Sequence, residues 1–201
     1  MTWRRTNYAA GHSRSPDLQT YDSDEAEQLI DDLVALYLEV HADEGEFYGE
    51  DRYRRQLGAH RERTEWQLVT AVVDGELIGY IYGFPLPPQS RWWEGIRGTV
   101  PVGFTDEDGR RTFAISELLV RANWRRQGVA RALHDRLLGS RAEERATLLV
   151  RPDNAIARSA YDSWGWAQQA RLRPGWEDAP EFIVLTRALP LPPTPDRARA
   201  S

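Results

Sequence analysis

Three short stretches of the chain combine residue types and spacings from which chemistry can be built. The first, WRRQGVARAL at residues 124–133, sets Gly128 between an arginine pair and the start of an apolar-periodic helix. A helix N-terminus presents unpaired backbone N–H groups and partial positive charge, so a strand, a short loop and a helix joined at a glycine can hold phosphate. Gly128 lets an anion approach the main chain, and Arg125 and Arg126 add attraction and reach for phosphate oxygens. The second stretch, Glu117-Leu118-Leu119-Val120, ends a β-rich run just upstream and brings a carboxyl group. The third, NAIARSAY at residues 154–161, places a helix-capping asparagine seven residues before a tyrosine. The spacing around Gly128 is neither G-x-G-x-x-G nor G-x-x-x-x-G-K-[ST], which leaves a dinucleotide fingerprint and a P-loop unsupported.

Other chemistries are excluded by what the chain lacks. It has no cysteine, hence no disulfide framework, thiolate metal site or cysteine nucleophile. Its four histidines, His12, His41, His60 and His134, show no metal-ligand spacing, and no metal is expected. There is no G-x-S-x-G to suggest a serine triad. The net charge of −5 is unevenly spread: residues 22–51 hold twelve acids and no arginine, while the rest of the chain carries an excess of base. Dispersed arginines on an acidic chain match a nucleic-acid backbone poorly. The N-terminus lacks an apolar leader and no apolar run approaches a membrane span, so a soluble, cytoplasmic protein with no membrane partner is expected.

The elements that must position these residues are those of a single α/β domain. With 201 residues the chain can bury one substantial core. A flexible lead-in at 1–17 precedes a folded unit at 18–189, and the Pro/Arg-rich tail at 190–201 is expected to be disordered. A short strand at 18–21 leads to an amphipathic helix over 23–41 with Ser23 as its cap, then to a polar helix over 50–63. Asp74-Gly75 lies between two β-rich runs and predicts a hairpin. A long connection, 85–111, holds Trp92 and Trp93 and leads to a buried strand at 112–120. The Gly128 helix ends near Gly139, an apolar run at 146–150 reads as a parallel strand, and a helix over 154–164 and a strand over 181–189 follow.

Taken together, these motifs resemble the GNAT superfamily of N-acetyltransferases. The resemblance rests on E-L-x-V at Glu117-Leu118-Leu119-Val120, [QR]-x-x-G-x-[GA] at residues 125–130, N-x-x-A-x-x-x-Y at residues 154–161 and the following Gly165-Trp166. Ala130 stands where glycine is commoner, and the connection before Thr112 is longer than usual. The resemblance implies a mixed, twisted sheet of six or seven strands with helices on both faces and acetyl-CoA as co-substrate. Leu118, Leu119, Val120, Arg125, Arg126, Gln127, Gly128, Val129, Ala130, Asn154 and Tyr161 would then contact the cofactor, and a backbone N–H near Leu119 and Val120 would stabilise the oxyanion. Glu117 is either the base that deprotonates the amine or a tether for neighbouring groups. Tyr161 is either the group facing the leaving thiolate or a packed helix tyrosine. Full proton transfer from a phenol to a thiolate is uphill by roughly 2 kcal/mol, so a hydrogen bond suffices.

The acceptor is less defined. Glu44, Glu46, Trp92 and Trp93 are candidates for its site, the acids either drawing in a cationic amine or forming a solvated face. The expected acceptor is a small, cationic amine; a protein N-terminus or lysine is the alternative, as is a CoA-binding regulatory module without turnover. A homodimer is compatible with the sequence.

Overall fold

The turn at Asp74-Gly75 organises the first half of the sheet. It joins β2 (Gln67–Val73) to β3 (Glu76–Pro85), and both turn residues have positive φ, 53° and 83°. That is the primed geometry whose twist matches paired strands, as the sequence predicts. The computed structural model describes residues 15–175 and 179–191; most of the expected lead-in and tail lies outside the described residues. β1 (Asp17–Tyr21) adds antiparallel to the free edge of β2. On the other side, β3 pairs antiparallel with β5 (Thr112–Val120).

The second half of the sheet is β6 (Arg145–Val150), β8 (Phe182–Ala188), β7 (Ala167–Leu172) and β4 (Ile96–Arg97). The order is β1-β2-β3-β5-β6-β8-β7-β4, and β5–β6 is the one parallel pair among the described strands. Eight strands stand where six or seven were expected. The extra ones are β4, two residues inside the long connection, and β7, whose AQQARL has little intrinsic β preference and is held by pairing with β8 and β4.

Helices cover both faces. α1 (Ile30–Val40) and α2 (Glu50–Arg61) bury Leu33, Leu36, Tyr53 and Leu57 against Leu68, Tyr80 and Tyr82. α3 (Val129–Leu138) and α4 (Ala155–Ser163) bury Leu133, Leu137 and Tyr161 on the opposite face against Ile81, Phe113 and Leu148. Each fully buried leucine contributes about 1.5–3 kcal/mol relative to exposure. The first helix differs from its expected span. A 3-10 turn at Glu25–Leu29 precedes α1, and the Asp22 carboxylate, not Ser23, accepts the N–H groups of Asp24 and Glu25 at 3.0 and 2.9 Å. Ser23 instead donates to the Arg61 carbonyl at 2.9 Å, fastening this turn to α2.

Two irregularities in β5 shape the site. The pairing with β3 passes from Tyr82↔Glu117 to Gly83↔Ile115, leaving Ser116 as a bulged residue. Gly83 permits the close approach there, since a Cβ would sit 2.3 Å from the Ala114 carbonyl oxygen. The pairing with β6 runs from Thr112↔Arg145 only to Ile115↔Leu148. Beyond that point β5 and β6 diverge, and a fork opens between them.

Candidate active site

At the head of the fork, β5 leads through a 3-10 turn at Ala122–Trp124 into α3. Gly128 is the N-cap residue at φ 84°, a left-handed conformation that favours glycine, and no side chain caps the helix. Among the described residues a Cβ on Gly128 would meet nothing within 4 Å, so they leave the space over the first N–H groups of α3 open. The neighbouring side chains brace the loop: Arg125 Nε donates to the Val120 carbonyl at 3.2 Å, and the Gln127 amide donates to the Asn123 carbonyl at 2.7 Å. An uncapped ten-residue helix with arginines at its mouth fits an anionic group such as a pyrophosphate.

Below the loop lies a cleft of about 1030 Å³. The structure brings Glu117, Leu118 and Leu119 of β5 together in its lining with Asn154 and Tyr161 from the far side of the fork. Val120 and residues 125–130 stand outside that lining, in and before the loop. Asn154 caps α4 as the sequence suggests, its side-chain oxygen accepting the Ala157 N–H at 3.0 Å.

Glu117 sits half-buried beside Gln56, whose amide donates to its Oε1 at 3.2 Å. Burial pushes the Glu117 carboxyl up to about 8, against the opposing pull of Gln56 and the Arg52 charge. Tyr161 is buried, with the rings of Trp164 and Trp166 set edge-on at 5.4 and 5.8 Å. Burial, and then the nearby Glu117 charge, raise its phenol well above the ordinary value. It therefore stays protonated and can donate a hydrogen bond into the cleft.

The acceptor candidates separate. Trp92 lines the cleft and meets Phe84 edge-on at 6.4 Å. Trp93 turns away into the core, where its Nε1 donates to Glu107 at 3.0 Å and its ring lies 5.2 Å from that of Phe104. The two neighbours alternate in direction, so the connection offers the cleft one tryptophan. Glu44 reaches the lining but is engaged by His41 at 3.1 Å. The Glu46 side chain lies outside the described residues, and Glu50 pairs with Arg54 at 2.7 Å away from the cleft lining.

Over residues 26–166 the sequence matches the model of the acetyltransferase (GNAT) family. The chain belongs to that family. No curated protein matches it in sequence. Among solved structures it is similar to an aminoglycoside 6'-acetyltransferase type Ii, with 19% identity over 88% of this chain and 99% of that one and a TM-score of 0.61. It is likewise similar to a ribosomal-protein-alanine N-acetyltransferase from Brucella melitensis, at 17% identity, 86% and 99% coverage and TM-score 0.60. A third, the PaiA N-acetyltransferase from Thermoplasma acidophilum in complex with coenzyme A, shares 11% identity over 88% and 100% of the two chains at TM-score 0.53. At these identities the likeness is one of fold.

Within this GNAT fold, sequence reasoning missed the inner face of α2. Arg52, Gln56 and His60 recur every fourth residue and all line the cleft, followed by Arg63. The spacing was the available signal, in a helix that reads only as polar. Burial pushes His60 down to about 4, so its ring is neutral. Its Nδ1 lies 3.1 Å from the Ser116 hydroxyl and 3.2 Å from that of Tyr82, which ties α2 to the bulge. Among the described residues no group of three or more His, Asp or Glu is placed to hold a metal ion, and no helix is long and apolar enough to cross a membrane.

Proposed function

We propose that this chain transfers the acetyl group of acetyl-CoA directly to an amine of a small molecule, the amino group arriving as a cation. The observation that carries the reading is the fork itself: an open, uncapped helix N-terminus at its head, and Glu117 and Tyr161 in one cleft below. Gly128, Val129 and Ala130, with Arg125 and Arg126, would hold the pyrophosphate. Gln127 would act by bracing that loop, and Leu118, Leu119, Val120 and Asn154 would flank the arm that carries the thioester.

A primary amine with an ordinary pKa near 10 must lose a proton before it attacks. Glu117, with its proton affinity near the working pH, is suited to take it. The nitrogen lone pair then bonds to the thioester carbon, the C–S bond breaks, sulfur leaves with its electron pair, and the second proton shed by the new amide nitrogen goes to that thiolate. Among the described residues the β6-facing edge of β5 beyond Ile115 has no strand partner, which leaves main-chain groups there available to the developing oxyanion. The protonated Tyr161 hydroxyl would stabilise the departing sulfur by a hydrogen bond that strengthens as charge develops.

The test is thiol release from acetyl-CoA across a panel of small amines and peptides. Release with a small amine, reduced roughly 10–100-fold in kcat by Tyr161→Phe, is the expected result. Tight CoA binding with no release for any amine would leave a binding module, and release with peptides alone would move the acceptor to a protein.

A further inference from the structure

The charge around the cleft is the reverse of what the acidic run in the sequence suggests. Among the described residues, four guanidiniums line the cleft, those of Arg52, Arg63, Arg91 and Arg151, against the carboxyls of Glu44, Glu94 and Glu117. Glu94 is held by Arg91 at 2.7 Å, while Arg151 is paired with Asp153 at 2.6 Å and lies 4.0 Å from Glu44. The Arg63 guanidinium has neither ion-pair nor hydrogen-bond partner among the described residues. Arg52 is fixed at the wall: it stacks over the Phe47 ring at 3.6 Å and donates to the Phe47 carbonyl at 3.2 Å. It is near enough to Glu117 to oppose the rise in that group's proton affinity.

A polyamine entering here would bring a second cation towards Arg52 or Arg63, an unfavourable juxtaposition inside a cleft of reduced dielectric. A second group of opposite sign would find a partner. Gln56, which holds Glu117, lies one turn after Arg52, about 6 Å along the helix axis, and Arg63 follows just past the end of the same helix. Phe84 and Trp92 supply an apolar wall for the carbons between. We infer that the acceptor is zwitterionic, an amine whose body also carries a carboxylate or phosphate, with the amine facing Glu117 and the anionic group held by the arginines of the α2 side, Arg63 above all. This rests on the acetyl-transfer reading, and the experiment separates the two.

The full chain is given matched probes: 4-aminobutyrate and 3-aminopropylphosphonate for the two anionic groups, against butylamine and 1,4-diaminobutane. Two readouts are taken, calorimetric binding to the CoA-loaded protein and thiol release from acetyl-CoA. One of the anionic probes should exceed both others by roughly tenfold in affinity and in kcat/KM, and which of them does so identifies the anion. Arg63 is exposed beyond the end of α2, so Arg63→Gln leaves the core intact. It should raise the KM of the favoured anionic probe several-fold with a smaller change in kcat, while Arg63→Lys keeps part of the preference. Equal or better use of butylamine or diaminobutane overturns the inference while upholding the transferase. So does an anionic preference that survives Arg63→Gln undiminished, or the absence of both binding and release for the anionic probes. Anionic preference in binding without thiol release upholds the inference and removes the transferase.

Discussion

The loop between β5 and α3, at the head of the fork, and the wall that α2 and the 85–111 connection give the cleft are built in opposite ways. The loop is main chain: a left-handed glycine, uncapped N–H groups, and side chains turned inward to brace it. The wall is side chain: Arg52, Gln56 and His60 from a helix, Trp92 from a connection, and Glu117 from a strand, brought together across the sheet. A site of main chain depends on a few backbone positions in one short stretch. A site of side chains depends on how distant elements pack, and each member can change what it recognises.

That contrast sets the order of expected effects. Gly128→Asp strikes the backbone site with a carboxylate where an anion would lie, on a left-handed residue where a side chain costs about 1 kcal/mol. CoA affinity should fall by roughly 100-fold or more, read by calorimetry, with the circular dichroism spectrum retained. Unchanged affinity would remove the loop from the donor site and erase the contrast.

Glu117→Gln should lower kcat/KM by roughly 10–100-fold. Only the carboxylate accepts a proton, so wild-type kcat/KM should rise with pH through about 8, and the variant should lose that limb. The same shift acts on stability. From the unfolded value near 4 up to about 8 the folded protein retains a proton that the unfolded chain has released, so its contribution to stability is lost as pH rises through that window. Thermal melts of wild type and Glu117→Gln should therefore diverge in the variant's favour as pH rises from about 5 to about 9. A divergence towards low pH would contradict the burial of Glu117.

Trp92→Ala tests the wall alone. It should raise the acceptor KM about 3–10-fold and leave CoA affinity within about twofold. Smallest is Asn154→Ala, which removes a helix cap and should cost about 1 kcal/mol in denaturant unfolding.

The same contrast explains what could be read from the sequence. The Gly128 loop, the Asn154 cap and the Asp74-Gly75 hairpin are set by residues close together in the chain, and their local chemistry announces them. The inner face of α2 has no such mark, because Gln56 acquires its meaning only from Glu117, sixty-one positions away. The acidic run left two readings open for a related reason: its composition is visible in sequence, but the direction of each side chain is not. β5 lies between these cases. Phe113, Ile115, Leu118 and Val120 all belong to the α3 face, so the apolar alternation slips by one residue at Ser116. The slip puts Glu117 on the α2 face beside Gln56, and a strand read simply as buried conceals it.

The four paired positions that join β5 to β6 are also a mechanical seam. Everything from β1 to β5 hangs on one side of it, and everything from β6 to β4 on the other. A molecule seated in the fork would touch both halves and act as a splint, so hydrogen exchange at the unzipped ends of β5 and β6 should slow on binding more than exchange in the hairpin at Asp74-Gly75. Occupancy of the cleft is then written into the stiffness of the sheet as well as into its chemistry.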